Sequence, residues 1–238
     1  MATRTLPVKR TGKAGSTVFL KTLMAVTGII FVLFVLAHMY GNLKLFFGEQ
    51  SFNDYSEGLR TLGEPELPRH GLLTILEIIL GVSVVLHIYS AIALWKRAQH
   101  ARPVRYTVKK RVAASISSKW MRWGGVFLAL FIVWHLLEFT LVRINVGSGG
   151  QVAGITQNPY ELVVHSFQVW WLTVIYLVAM VALFMHLNHG IWSASQTLGW
   201  TSTPSARVKA KAIALVVALV VSIGFAICPF FVLVGVIS

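Results

Sequence analysis

The chain has 238 residues, 56% of them hydrophobic and only 12% charged, which is too apolar and too sparsely charged for a water-soluble domain of this length. Its single cysteine, Cys228, excludes an internal disulfide, a cysteine-ligated iron–sulfur cluster and a multi-cysteine zinc site. The net charge of +13 raises nucleic acid as a partner, but the placement of the charges argues against it.

Five apolar runs reach the ~20 residues that cross a bilayer core. The first, 18–40, is longer than a signal-peptide core and has no small-residue cleavage site after it, so it is expected to remain as a helix. The second covers 71–95 and the third 120–142. Asn158-Pro159 reads as a helix cap with a first-turn proline ahead of the fourth, 167–192. The fifth, 208–237, holds Pro229 but no histidine or charge in its interior, and reads as structural. Only helices and closed barrels satisfy their own backbone in lipid. The expected fold is therefore all-α: a polytopic bundle of five transmembrane helices forming one membrane-embedded domain over 1–238. No phosphate loop, dinucleotide fingerprint or internal repeat occurs.

Seventeen of the 21 lysines and arginines fall before span one, between spans two and three, before span five, or within the opening residues of those spans, all on one side. Lys44, Arg60, Arg69 and Arg143 share the other side with the acids Glu49, Asp54, Glu57, Glu64, Glu66 and Glu161. The positive-inside rule then places the N-terminus in the cytoplasm and the C-terminus outside, in the cell (inner) membrane. The basic charge is read as topology and contact with anionic lipid rather than nucleic-acid binding. Trp95, Trp120, Trp123, Trp192 and Trp200 gather at inner span ends, and Trp170 and Trp171 at an outer one, as an interfacial belt does.

His38, His87, His135, His186 and His189 lie inside the runs, where an ionisable group is costly and usually functional. His70, His100 and His165 sit at span ends or in loops and read as ordinary. His38 and His135 fall near the outer end of outward-running spans, with His135 ~12 Å from the boundary at 1.5 Å per residue. His87 and His186, on inward-running spans, share a second level nearer the cytoplasm. Four imidazoles from four helices, paired at two depths, match two bis-histidine haems, because each iron takes one axial nitrogen from either side. Two ligands per level fall short of the three or four that zinc takes. His189 competes with His186, being three residues on. Gly41, Gly190 and Gly124 lie on the ligand faces, where small residues would let a macrocycle approach the backbone. No C-x-x-C-H motif is present, so the haem type would be b.

Four segments carry a family likeness: "AHMYGNLK" (37–44), "VLHIYSAIAL" (85–94), "VWHLLEF" (133–139) and "FMHLNHGIWS" (184–193), one per span in order. With them the chain resembles the single-chain, five-helix, two-haem cytochrome b anchor of succinate:quinone oxidoreductases and fumarate reductases. The resemblance implies that His38 and His135 hold the outer haem, and that His87 and His186 hold the inner one. It also implies a flavoprotein subunit and an iron–sulfur subunit docked on the cytoplasmic side, with electrons delivered through the two haems to a quinone, menaquinone in relatives with two haems. Succinate oxidation as part of the respiratory chain and tricarboxylic acid cycle, and fumarate reduction in reverse, share these ligands. The resemblance covers the first four spans, and His189 departs from relatives with a non-ligating polar residue there.

Two acids fall inside spans at one outer level, Glu138 on span three and Glu77 on span two, each ~8 to 9 Å deep. Quinone reduction consumes protons as well as electrons, so Glu138 is a candidate proton relay and Glu77 a candidate helper. The competing reading is a hydrogen bond between helices, or a carboxyl kept neutral by burial. Three other functions stand beside the electron-transfer reading: the haem anchor of a different dehydrogenase, a proton-coupled transporter and a membrane scaffold.

Overall fold

A computed structural model describes residues 16–101, 116–141, 144 and 158–238. Arg4, Lys9, Arg10, Lys13, Arg102, Arg105, Lys109, Lys110, Arg111 and Arg143, which entered the orientation argument, lie outside the described residues.

Helix α1, Thr17–Leu43, opens where the Ser16 hydroxyl accepts from the Phe19 N–H, and it runs into a 3₁₀ turn at Lys44–Phe47. Gly48, at φ 88°, takes a backbone conformation that side chains disfavour and turns the chain into α2, Glu49–Thr61. Helix α3 is Gly71–His100. Helix α4, Ile116–His135, continues into a π-helical turn, Leu136–Thr140, where the Leu141 N–H reaches the Leu136 carbonyl. The short α5, Pro159–Phe167, precedes α6, Trp170–Thr197, and α7, Pro204–Leu233. No strand occurs among the described residues.

Five of these segments are long and apolar enough to cross a membrane: Thr17–Phe47, Gly71–His100, Trp120–Thr140, Trp170–Thr197 and Pro204–Leu233. Their outward faces are oily. Leu33, Ile78, Val85, Leu130, Val178 and Val216 are all more than half exposed. In water that surface would be a severe aggregation liability, whereas in lipid it costs nothing. The chain is a multi-pass membrane protein.

Helices α6 and α7 form the most extensive contact, and α1 packs on α3, α6 and α7, with α4 against the far side of α6. The α6–α7 seam uses small side chains: Ala179, Ala214 and Ala218 are completely buried. With no hydrophobic drive between helices in lipid, small residues gain van der Waals contact by letting backbones approach.

Two elements differ from the sequence expectation. Asn158-Pro159 does cap a helix, since the Asn158 side chain accepts from the Glu161 N–H, but that helix is the separate α5 rather than span four. The chain breaks at Gln168 and Val169, where the Thr173 hydroxyl bonds back to the Phe167 carbonyl and Val169 is extended. Span four therefore starts at Trp170 instead of 167. The amphipathic α2 was not anticipated either. It is tied down by Asn53, whose amide bonds Asn158, and by Arg69, whose guanidinium donates to both carboxylate oxygens of Glu57. That hydrogen-bonded Arg69 holds the Glu57 carboxyl below its ordinary range, so the tie is present at neutral pH and is lost as pH falls through the lowered value. Pro229 lies within α7, which continues through it to Leu233.

Gly41 is set against α2. A Cβ placed there would lie 2.5 Å from Tyr55 Cε1. Gly41→Ala is expected to force the two helices apart and cost about 1–3 kcal/mol, read as a lower thermal midpoint of the purified protein in detergent. Most of the loss should return in Gly41→Ala combined with Tyr55→Ala; strictly additive effects would show that the contact is not the cause.

Candidate functional site

Each of α1, α3, α4 and α6 contributes one histidine to the bundle interior, and the four meet as two pairs. The His38 and His135 ring centroids are 5.8 Å apart at an interplanar angle of 78°. Those of His87 and His186 are 6.3 Å apart at 52°. Neither pair is stacked face to face, an arrangement that would put π faces rather than nitrogen lone pairs between the rings. An imidazole nitrogen binds a metal at about 2 Å, so two rings facing one iron have centroids about 6 Å apart. Both pairs match that separation.

The backbones around the pairs are spaced suitably. Among the described residues α1 does not pack extensively on α4, nor α3 on α6, although their imidazoles meet. A planar group held edge-on between helices needs that spacing. No three of His, Cys, Asp and Glu converge as a metal cluster among the described residues, so an axial pair is the ligand set these positions offer.

The second nitrogen of each ring decides which tautomer is present. His87 Nδ1 lies 3.0 Å from the Thr27 hydroxyl, and that hydroxyl donates its own hydrogen to the Leu23 carbonyl at 2.8 Å. Thr27 must therefore accept, which puts the His87 proton on Nδ1 and leaves Nε2 with a free lone pair. His135 repeats the logic with other partners. Its Nδ1 lies 3.2 Å from the Tyr176 hydroxyl, which donates to Glu138 Oε2 at 3.1 Å. The Trp134 indole N–H donates to the same oxygen at 2.9 Å. Tyr176 has one hydrogen to give, so it accepts from His135, whose Nε2 is again left free. His186 Nδ1 is buried without a partner among the described residues, an orphan of the kind that burial penalises.

Aromatic rings close both sites. Phe34 stacks on His38 at 5.3 Å, Phe225 lies 5.5 Å from it, and Phe131 and Phe139 flank His135. Phe31 meets His87 edge-on at 5.8 Å.

The glycines divide differently from the expectation. Gly41 faces Tyr55, and the positions nearest the imidazoles are Gly28 and Gly125, where an added Cβ would lie 3.6 Å from His87 Cε1 and 3.7 Å from His186 Cε1. Gly124 shares a hollow of about 30 Å³ with His186, Trp120 and Met185. A Cβ at Gly190 would meet nothing within 4 Å. His189 is half-buried one turn from His186, and the ring facing His87 is that of His186.

The two acids are not brought together. Glu138 sits in the π-helical turn at 1% exposure, bonded by Trp134 and Tyr176 and so linking α4 to α6. Its Oε1 is buried without a partner among the described residues. Glu77 lies on the exposed face of α3.

Sequence reasoning missed Thr27, Tyr176, Gly28 and Gly125. Thr27 carried a usable signal, since it lies eleven residues, three turns, before His38 on the same face of α1. Tyr176 had none, because its role depends on how α6 is rotated against α4.

No curated protein and no solved structure matches the chain. One family does: succinate dehydrogenase/fumarate reductase transmembrane subunits, over residues 96–225. That segment runs from the end of α3 through α4 and α6 into α7 and takes in His135, Glu138, Tyr176 and His186, while His38 and His87 precede it. It spans more than half of the sequence, and the chain belongs to the family of succinate dehydrogenase/fumarate reductase transmembrane subunits.

Proposed function

We propose that this protein is the membrane-anchor, electron-transfer subunit of a succinate:quinone oxidoreductase, with His38 and His135 as axial ligands of an outer b haem and His87 and His186 as those of an inner one. The observation that carries the reading is the pairing itself. Two sets of rings stand about 6 Å apart, and His87 and His135 each have Nδ1 engaged by a hydroxyl, which leaves Nε2 as the nitrogen available to a metal. A buried neutral imidazole needs partners for both nitrogens, and a haem iron held by each pair would take up one nitrogen lone pair of each ring. Bound there, the haems would supply one-electron carriers between an iron–sulfur partner and a quinone.

The chain's own contribution is positioning and insulation. Four helices present one ligand each, Thr27 and Tyr176 orient two of them, and Phe31, Phe34, Phe131, Phe139 and Phe225 keep water away. The basic side faces the cytoplasm, where flavoprotein and iron–sulfur subunits dock, and the quinone, menaquinone in this reading, reacts toward the opposite side. Succinate oxidation is the assigned direction; fumarate reduction would use the same ligands. Glu138 is the candidate to move a proton toward the quinone, through Oε1, because Oε2 is committed to Trp134 and Tyr176. Glu77, on the exposed face of α3, would serve only from the lipid side. The haem anchor of another dehydrogenase is the second reading, and the family membership favours the first.

Haem content and a reduced-minus-oxidised spectrum of the purified complex test the assignment. Two b haems per chain are expected, with one lost in His135→Ala and the other in His186→Ala. A parent complex without b haem would overturn the reading.

Thr27→Val provides a second test. The valine keeps the shape and removes the acceptor for the His87 N–H, which should cost about 1–3 kcal/mol. Thermal unfolding of the complex would show the loss, and Thr27→Ser should retain most of the parent's stability.

A further inference from the structure

The two histidine pairs are held differently at their outer nitrogens. At the second pair, His87 Nδ1 meets a neutral hydroxyl, Thr27, that passes its own hydrogen to a backbone carbonyl, and His186 Nδ1 has no hydrogen-bond partner among the described residues. At the first pair, His135 Nδ1 meets a phenol whose hydrogen is directed at an acid. That acid is held in place. The Trp134 indole and the Tyr176 phenol both donate to Oε2, and Glu138 is among the most completely buried large side chains of the protein. A buried acid between helices is expensive, and an interhelical tie alone could be made with an amide or a hydroxyl.

The backbone contributes as well. Immediately after His135 the helix widens into the π-helical turn Leu136–Thr140. Such turns are rare and occur often at functional sites. Here the turn carries Glu138 back beneath Trp134 and against Tyr176 while His135 stays in the preceding α-helical register.

We propose that Glu138 is a positioning residue for the His38–His135 haem site: through the Tyr176 phenol it fixes the His135 proton on Nδ1, turns Nε2 toward His38, and lowers the reduction potential of the haem held there. The inference rests on the di-haem reading above. A phenol that donates to a carboxylate is a better acceptor for an imidazole N–H, and polarising that N–H makes the imidazole a stronger electron donor through Nε2. A stronger donor stabilises the ferric state. Among the described residues the second pair has no acid in this position, so the effect falls on one haem and leaves the other unchanged.

The test is a redox titration of the intact complex, followed by the b-haem absorbance and by the low-spin ferric electron paramagnetic resonance signals. The variants are Glu138→Gln, Tyr176→Phe and Thr27→Val, with His135→Ala identifying which signal belongs to the first pair. In Glu138→Gln and Tyr176→Phe the signal that His135→Ala abolishes should move to higher potential. The expected size is about tenfold in the oxidised-to-reduced ratio at fixed potential, ~59 mV for a one-electron couple, with its resonance position altered and the second haem unmoved. Thr27→Val should disturb only the second haem. Two haems per chain with neither potential nor resonance position changed in Glu138→Gln and Tyr176→Phe would overturn the inference and leave the di-haem assignment standing. A parent complex lacking b haem would overturn that assignment first. If Tyr176→Phe loses a haem outright, the potential in Glu138→Gln decides alone, because glutamine retains an acceptor for both donors.

Discussion

A neutral imidazole carries one hydrogen to donate and one lone pair to fill, and in the apolar interior of a membrane bundle no water completes either. That requirement organises this protein. For His87 and His135, donating Nδ1–H to a hydroxyl fixes which nitrogen is left over, and the imidazoles of four helices meet in two pairs. Thr27 and Tyr176 are therefore as much a part of the site as the histidines, since each fixes which nitrogen of its imidazole carries the hydrogen.

The scaffold separates holding from presenting. Helix α7 carries no histidine and packs its small residues tightly on α6, with Gly224 set against Met39 of α1. This assembly fixes α1 and α6 as the shared supports, with α3 packed on α1 and α4 packed on α6. Each histidine pair joins one support helix to one hung helix: α1 with α4 for His38 and His135, α6 with α3 for His87 and His186. Because the paired helices do not pack extensively on each other, the distance between their rings is set by the supports. The breadth available to a planar group is thus decided by residues far from the ligands.

The membrane spans were legible because hydropathy over twenty residues is a sum to which no single contact matters, and the bounds of α3 at Gly71 and α4's apolar run at Trp120 agree with it. The pairing of the histidines by depth was legible for the same reason, since rise along a helix is fixed once the span ends are known. Rotation about the helix axis is not. Gly41 lies on the face of His38 by count, yet α2 folds back over that part of α1 and Tyr55 takes the place beside it. Glu77 and Glu138 share a depth but not a direction, because α3 turns Glu77 outward. The π-helical turn after His135 also escaped, since a one-residue change in helix register leaves no mark on the apolar pattern of "FIVWHLLEFT".

That turn explains why a glutamate lies three residues after a histidine in an oily helix. In an uninterrupted α-helix, residues three apart share a face, so His135 and Glu138 would compete for the same space. In the widened turn the acid bonds the Trp134 indole and the Tyr176 phenol, and the histidine is linked to it through that phenol. A carboxylate in direct contact would draw the imidazole proton strongly enough to make the ligand nearly anionic. One phenol between them keeps the influence of the acid and moderates it, while joining α4 to α6 at the level where His135 must face His38. Among the described residues the two levels of the bundle therefore differ electrostatically, with an acid backing His135 and none backing His87 or His186, although the ring separations are nearly the same.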